Sequence, residues 1–250
     1  MDENKKKRVV IILQARMGAS RLPGKPLKKV LGRSLLSYQL ERLRRVYSAS
    51  EIVVATTMES QDDAIISLCE AEKVAYFRGS SFDVLDRYYQ AAKLFNADYI
   101  VRVTGDCPII DPEIIDQVIN EYLQQLPTYD YVSNSVRPTY PRGLDTEIFS
   151  FPLLEYAHKD GKLPQEREHV TVYFYTHPEI FSIGNVASEK DISQHRWTVD
   201  TQEDFELISK ILTTIYPYNP NFNTNDVLAL LDENPEWVKI NAHIKQKPVE

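Results

Sequence analysis

Only two cysteines, Cys69 and Cys107, occur among the 250 residues, far apart and in segments that read as helix and loop. So placed, they exclude a disulfide framework and a metal knuckle and fit a reducing compartment. Long apolar runs are also missing. The run at 9–13 is too short for a signal peptide or a membrane span, so a soluble, cytoplasmic chain with no membrane partner is expected. Nor is there a surplus of positive charge: 29 Lys and Arg stand against 36 Asp and Glu, for a net charge of -7. That balance excludes sequence-independent binding to nucleic acid, because phosphate backbones are held by clustered cations. Whatever positive charge matters must act locally. No internal repeat and no low-complexity tract appears.

What is present is a regular alternation. At 43% hydrophobic, the chain is long enough to bury one substantial core, and one domain over 1–250 is expected. From 9 onward, short apolar runs alternate with segments of helical period, as in α/β folds whose crossover helices cover both faces of a parallel sheet. Strands are predicted at 9–13, 52–55, 74–77 and 99–103. Between them lie a helix capped by Ser34 with Leu36, Leu40, Leu43 and Tyr47 inward, a helix at 62–72 and a helix at 84–94. Asp111 and Pro112 open a further helix that buries Ile115, Val118, Ile119 and Tyr122. Beyond 126 the texture changes to aromatics and prolines, with β-like pieces at 129–133, 146–149 and 181–186. This predicts a small antiparallel, β-rich addition over about 127–190. A helix is predicted at 165–175 and a strand at 195–199. Thr201 and Asp204 form a capping box for a long helix with Phe205, Ile208, Leu212 and Ile215 inward. Residues 235–250 read as a weakly packed tail.

The loop after the first strand carries the most chemistry. Gln14, Ala15, Arg16, Met17, Gly18, Ala19, Ser20, Arg21, Leu22, Pro23, Gly24, Lys25 and Pro26 place two glycines and three cations where α/β sheets bind ligands. Glycine lets the backbone approach a phosphate closely, and arginine offers a planar fork to phosphate oxygens. A polyphosphate is the expected guest. The loop is not a Walker loop, since five residues separate Gly18 from Gly24 where four are needed, and Pro26 stands in place of Ser or Thr. A dinucleotide-binding fingerprint is absent as well.

Two acidic residues complete the pattern. Asp106 follows the 99–103 strand and therefore sits at the same sheet edge as the cationic loop. A carboxylate there can hold a hard cation that also binds phosphate. Asp200 ends the 195–199 segment, and the capping box leaves it free for a role other than starting the helix. Cys107, beside Asp106, has no general base next to it, and phosphoryl transfer needs no covalent thiol.

These segments resemble the sugar-activating cytidylyltransferases of the GT-A-like nucleotidyltransferase fold, most closely the spore-coat polysaccharide type, with the Kdo and acylneuraminate enzymes as relatives. The resemblance rests on Ala15-Arg16 with Ser20-Arg21-Leu22-Pro23-Gly24-Lys25-Pro26-Leu27, on Asp83 to Tyr89, Gly105-Asp106-Cys107-Pro108, Arg142-Gly143-Leu144-Asp145, Glu168-His169-Val170-Thr171 and Arg196-Trp197-Thr198-Val199-Asp200. It implies a mostly parallel, Rossmann-like sheet and a magnesium-dependent transfer of CMP from CTP to a sugar acid or related sugar for surface polysaccharide biosynthesis. In that likeness Arg16, Gly18, Ser20, Arg21 and Lys25 hold the phosphates, backbone at Gln14 and Ala15 meets the base, and Ser80 and Arg87 assist there. Asp106 and Asp200 are implied as the Mg2+ ligands, with Lys25 and Arg16 beside them as catalytic groups. Arg142, Glu168 and His169 are implied near the acceptor, and the 127–190 region near the acceptor and at a homodimer interface. Two departures from the Kdo type stand out: Thr104 replaces a glutamine and Cys107 a glutamate. A glycosyltransferase using a nucleotide sugar and a non-catalytic nucleotide-binding protein are the competing readings.

Overall fold

A computed structural model describes residues 7–246. Its centre is a seven-stranded sheet of β1 (Val9–Gln14), β4 (Glu51–Thr57), β5 (Ala75–Gly79), β6 (Tyr99–Thr104), β7 (Tyr131–Ser133), β8 (Glu147–Ser150) and β9 (Ile183–Asn185), in the order β5-β4-β1-β6-β8-β7-β9. A separate two-residue hairpin joins β2 (Lys29–Val30) to β3 (Arg33–Ser34). The first four strands of the sheet are mutually parallel. β8 runs antiparallel to both β6 and β7, while β9 is parallel to β7.

Side-chain alternation along β1 explains the layering. Ile11 and Leu13 face one side with Leu36 and Leu40 of α1 (Leu35–Leu43), Ile65 of α2 (Asp63–Glu72) and Val118 of α4 (Pro112–Gln124). Val10 and Ile12 face the other side with Leu85 and Tyr88 of α3 (Val84–Leu94) and Leu154 of α5 (Phe151–Asp160). All of these side chains are buried, each worth roughly 1.5–3 kcal/mol relative to exposure. A third cluster packs Leu22 of the cationic loop against Tyr38, Leu144 and Trp197, and against Ile208 of α8 (Gln202–Ile215) and Leu231 of α9 (Thr224–Glu233). The cationic loop is thus bolted to the molecule through an apolar anchor.

The expected caps are present. Ser34 accepts from the Ser37 N–H at 3.1 Å, Asp111 accepts from the Glu113 N–H at 3.0 Å, and Thr201 with Asp204 forms the capping box of α8. Several expectations need correction. Tyr47 is 94% exposed, because α1 stops at Leu43 and the turn after it loses the helical phase. The helix expected at 165–175 is two, α6 (Pro164–His169) and α7 (Val172–Tyr175), broken where Val170 adopts φ 55°. Residues 195–199 form no strand; they make one isolated parallel bridge, in which the Arg142 N–H donates to the His195 carbonyl at 3.3 Å and the Trp197 N–H to the Arg142 carbonyl at 2.6 Å, and a single bond from the Val199 N–H to the Asp106 carbonyl at 2.7 Å. The 127–190 region, expected to be β-rich, carries α5, α6 and α7 beside its three short strands. The segment expected to be weakly packed carries α10 (Pro235–Val238) and is exposed or half-buried over 235–246 except at Asn241, which is 3% exposed and hydrogen-bonded inward; residues 247–250 lie outside the described residues.

Candidate active site

Strand order locates the site. From β1 the chain crosses to β4 and β5 on one side, then returns through α3 to β6 on the other, so the connections diverge between β1 and β6. Such a switch point leaves a crevice at the carboxyl ends of the strands. Gln14 and Thr104, paired in register, are its floor. Gly105 makes this convergence possible: its N–H donates to the Gln14 carbonyl at 2.8 Å, and a Cβ there would fall 2.9 Å from that same oxygen.

The cationic loop closes over this floor by its own bonds. The Ala19 and Gly24 N–H groups both donate to the Met17 carbonyl at 2.9 Å. Met17 is itself fixed, its N–H donating to Asp62 Oδ1 at 2.7 Å, while Asp62 Oδ2 takes the hydroxyl of Thr57. Asp62, fully buried, had no role in the sequence reading; its effect depends on a contact 45 residues away in sequence. Gly24, at φ 70°, then turns the chain into the short helical turn that presents Lys25.

Lys25 is the centre of the arrangement. Its Nζ lies 2.8 Å from Asp106 Oδ2 and 2.8 Å from Asp200 Oδ1. Burial disfavours the ammonium, but the Asp106 and Asp200 carboxylates outweigh it and hold the Lys25 pKa above its ordinary 10.5. Burial likewise opposes charge on Asp106, yet Lys25 and the hydroxyl of Thr104, which donates to Asp106 Oδ1 at 2.6 Å, hold its pKa below the ordinary carboxylate value. Asp200 also receives Arg21 and Arg196, each at 2.8 Å on Oδ2. Arg196 opens the 196–200 motif quoted from the sequence but was given no role there.

An open cleft of about 260 Å³ joins these groups. Gln14, Ala15, Arg16, Ser20, Arg21, Lys25, Asp106, Glu168 and Asp200 all line it, which brings nine of the expected site residues to one place. The others lie elsewhere. Gly18 faces Gln61 rather than the cleft. Ser80 and Arg87 bond to each other, Arg87 Nη1 donating to the Ser80 carbonyl at 2.5 Å, and Arg87 is buried. Arg142 pairs with Asp145 at 3.0 Å and lines a second cavity, with Arg196 and Asn241, rather than this cleft. His169 is half-buried, and burial lowers its pKa below 6.5. Cys107 is 1% exposed and burial pushes its thiol well above the ordinary value, which makes it a poor nucleophile.

Two carboxylates aimed at one ammonium are a donor set that fits a hard divalent cation. Magnesium takes one or two carboxylates and completes its shell with water and phosphate oxygens. Among the described residues, no group of three or more His, Cys, Asp and Glu side chains gathers around a point, so all-protein coordination is not what this site offers. Cations along one wall and carboxylates at the back can bind a triphosphate and polarise it. No helix among the described residues is long and apolar enough to cross a membrane.

Comparison with known proteins agrees with this geometry. The sequence profile described as Cytidylyltransferase matches residues 10–232. The spore coat polysaccharide biosynthesis protein SpsF of Bacillus subtilis is 32% identical over 235 residues, covering 91% of this chain and 95% of that protein. A 3-deoxy-manno-octulosonate cytidylyltransferase of Anaeromyxobacter sp. strain K is 30% identical over 67% of this chain and 73% of its own length. Among solved structures, a cytidylyltransferase from Leptospira borgpetersenii superposes with a TM-score of 0.90 at 34% identity, covering 97% of this chain and all of that one. With the profile spanning most of the sequence and the sheet, loop and cleft arranged as described, the chain belongs to the cytidylyltransferase family.

Proposed function

We propose that this enzyme transfers CMP from CTP to a hydroxyl of a sugar acid or related sugar, releases pyrophosphate, and serves surface polysaccharide biosynthesis as a homodimer in the cytoplasm. The observation that carries the reading is the Lys25 ammonium held 2.8 Å from both Asp106 and Asp200, in a cleft that Arg16 and Arg21 also line. The relatives' names supply the substrate class: one is a sugar-acid cytidylyltransferase and one a polysaccharide biosynthesis protein.

In this reading Arg16, Ser20 and Arg21 bind the phosphates, and Lys25 moves from the carboxylates to the charge that accumulates on the departing pyrophosphate. Asp106 and Asp200 would hold a divalent cation, Mg2+, which supplies Lewis-acid stabilisation of charge on phosphate oxygens when bound. Gln14 Oε1 is a buried acceptor with no hydrogen-bond partner at the edge of the same cleft, and it would receive a donor from the nucleotide. Glu168, exposed on the rim, would face the acceptor and exclude acceptors that place negative charge beside it. Ser80, Arg87, Arg142 and His169 act at most from outside this cleft in the free protein.

The test is a pyrophosphate-release screen that crosses CTP, UTP, ATP and GTP with a panel of sugar acids and neutral sugars in the presence of Mg2+. The expected result is release with CTP and at least one sugar acid, and its loss in Asp106→Ala. Release at wild-type rates in Asp106→Ala, or a preference for another nucleoside triphosphate over CTP, would contradict the assignment.

A further inference from the structure

Three cations meet Asp200, and they are not equivalent. Lys25 on Oδ1 and Arg21 on Oδ2 both come from the loop lining the cleft, so an incoming triphosphate competes for them. Arg196, also on Oδ2 at 2.8 Å, is held from behind. Its Nε donates to Asp204 Oδ1 at 3.0 Å, its Nη2 also reaches Asp204 Oδ2 at 3.2 Å, and its Nη1 donates to Gln246 Oε1 at 2.8 Å. Asp204 is fully buried and receives, besides Arg196, the N–H groups of Asp200 and Thr201, each at 3.0 Å. Asn241, 3% exposed, closes the network: its amide donates to Asp204 Oδ1 at 2.8 Å and to the Arg196 carbonyl at 2.9 Å. An arginine fork filled on several sides cannot turn toward a phosphate.

We propose that Arg196 is the positioning residue of Asp200, and that the segment after α10, through Asn241, clamps Arg196 so that Asp200 keeps Oδ1 turned into the cleft when Lys25 leaves it. The inference rests on the reading of Asp200 as a cation ligand. Oδ2 is occupied by the arginine, so the orientation of the carboxylate survives the loss of its two loop partners. Groups that orient a ligating carboxylate in this way typically change metal affinity by about 10–100-fold when removed. The opposite effect is physically available: a positive charge 2.8 Å from Asp200 repels a cation bound there, so deleting Arg196 would tighten binding if its charge mattered more than its hold.

The experiment is a Mn2+ titration of the substrate-free protein by electron paramagnetic resonance on wild type, Asp200→Ala, Asn241→Ala, Arg196→Lys and Arg196→Met, with thermal melting of each. Mg2+ dependence and steady-state kinetics follow on the same proteins. Asp200→Ala is expected to lose the site seen in wild type. Asn241→Ala and Arg196→Lys should weaken Mn2+ about 10-fold and raise the half-saturating Mg2+ by a similar factor, with kcat at saturating metal and the KM for CTP within about two-fold. Lysine keeps the charge but cannot span Asp200 and Asp204 together. If Arg196→Met does not fold, Asn241→Ala, which alters no group on Asp200, decides the matter. Lower melting temperatures with unchanged Mn2+ affinity, or tighter Mn2+ binding in Arg196→Met, would overturn the inference. Wild-type Mn2+ binding by Asp200→Ala would overturn the reading of Asp200 and this inference with it.

Discussion

Lys25→Met removes the ammonium and keeps most of the aliphatic stem, leaving Asp106 and Asp200 turned toward one another across the position Nζ held. Each 2.8 Å contact in the native protein is worth about 6 kcal/mol at an effective dielectric of about 20. Desolvation of three charges offsets most of that sum. Removing one partner from a buried ionic set costs about 3–5 kcal/mol, and side-chain exposures of 13% for Lys25, 20% for Asp106 and 17% for Asp200 place this case at the lower end. About 3 kcal/mol in a domain of this size corresponds to a melting temperature lower by about 6–12 °C. The variant should melt early in a chelator, and added Mg2+ or Mn2+ should raise its midpoint by more than it raises that of wild type, because a divalent cation takes over the neutralisation of both carboxylates. Turnover should nonetheless fall by about 100–1,000-fold, since the charge facing the phosphates is gone. The pH dependence follows from the same contacts. Asp106, held below the ordinary carboxylate value, contributes stability that is present above that value and disappears as pH falls through its lowered pKa. Lys25, held above 10.5, contributes stability that is present below 10.5 and disappears as pH rises through its raised pKa. Wild type minus variant should therefore be a plateau across neutral pH that declines at both acid and alkaline extremes. Equal melting of the two proteins in chelator, with equal response to metal, would mean that Lys25 does not neutralise the two carboxylates.

Two further substitutions separate function from scaffold. Cys107→Ser should keep turnover within a few-fold of wild type, because the thiol is buried and its pKa is raised; steady-state pyrophosphate release checks it, and a loss of the size expected for Lys25→Met would revive the nucleophile reading. Asp62→Ala removes the acceptor of both the Met17 N–H and the Thr57 hydroxyl, so the loop loses one charge-assisted bond worth about 1.5–3 kcal/mol. The KM for CTP should rise about 10-fold, the equivalent of about 1.4 kcal/mol, with a smaller change in kcat; an unchanged KM would mean that the loop holds its shape without Asp62.

The parallel half of the fold was legible because its signals are local. Continuous apolar strands alternate with helices whose caps, Ser34, Asp111 and Thr201, are written beside them, and all three caps form. The misreadings fall where local pattern is overruled. Residues 195–199 carry strand-like residues, but their backbone bonds make only an isolated bridge to Arg142 and one bond to Asp106, so no ladder builds. The 165–175 segment has helical composition, but Val170 at φ 55° splits it. The second half also holds α5 and α9, whose caps Ser150 and Asn223 were in the sequence and went unused. At the site, the loop cations and Asp106 could be named because strand ends collect at one sheet edge, whereas Asp200, which no strand precedes, was named through the resemblance carried by 196–200. Asp62 and Arg196 could not, since their meaning lies in partners such as Met17 and Asn241 that only folding brings near.

In the proposed reaction one cleft directs a sugar hydroxyl to the α-phosphorus of CTP and expels pyrophosphate. Phosphorus NMR of wild type with CTP, Mg2+ and a sugar acid that supports pyrophosphate release tests it most directly. The β-phosphate triphosphate signal should disappear with matched growth of pyrophosphate and of one phosphodiester signal from a CMP-linked sugar, and none of this should occur in Asp106→Ala. Unchanged CTP with every acceptor, or formation of CDP in place of pyrophosphate, would contradict it.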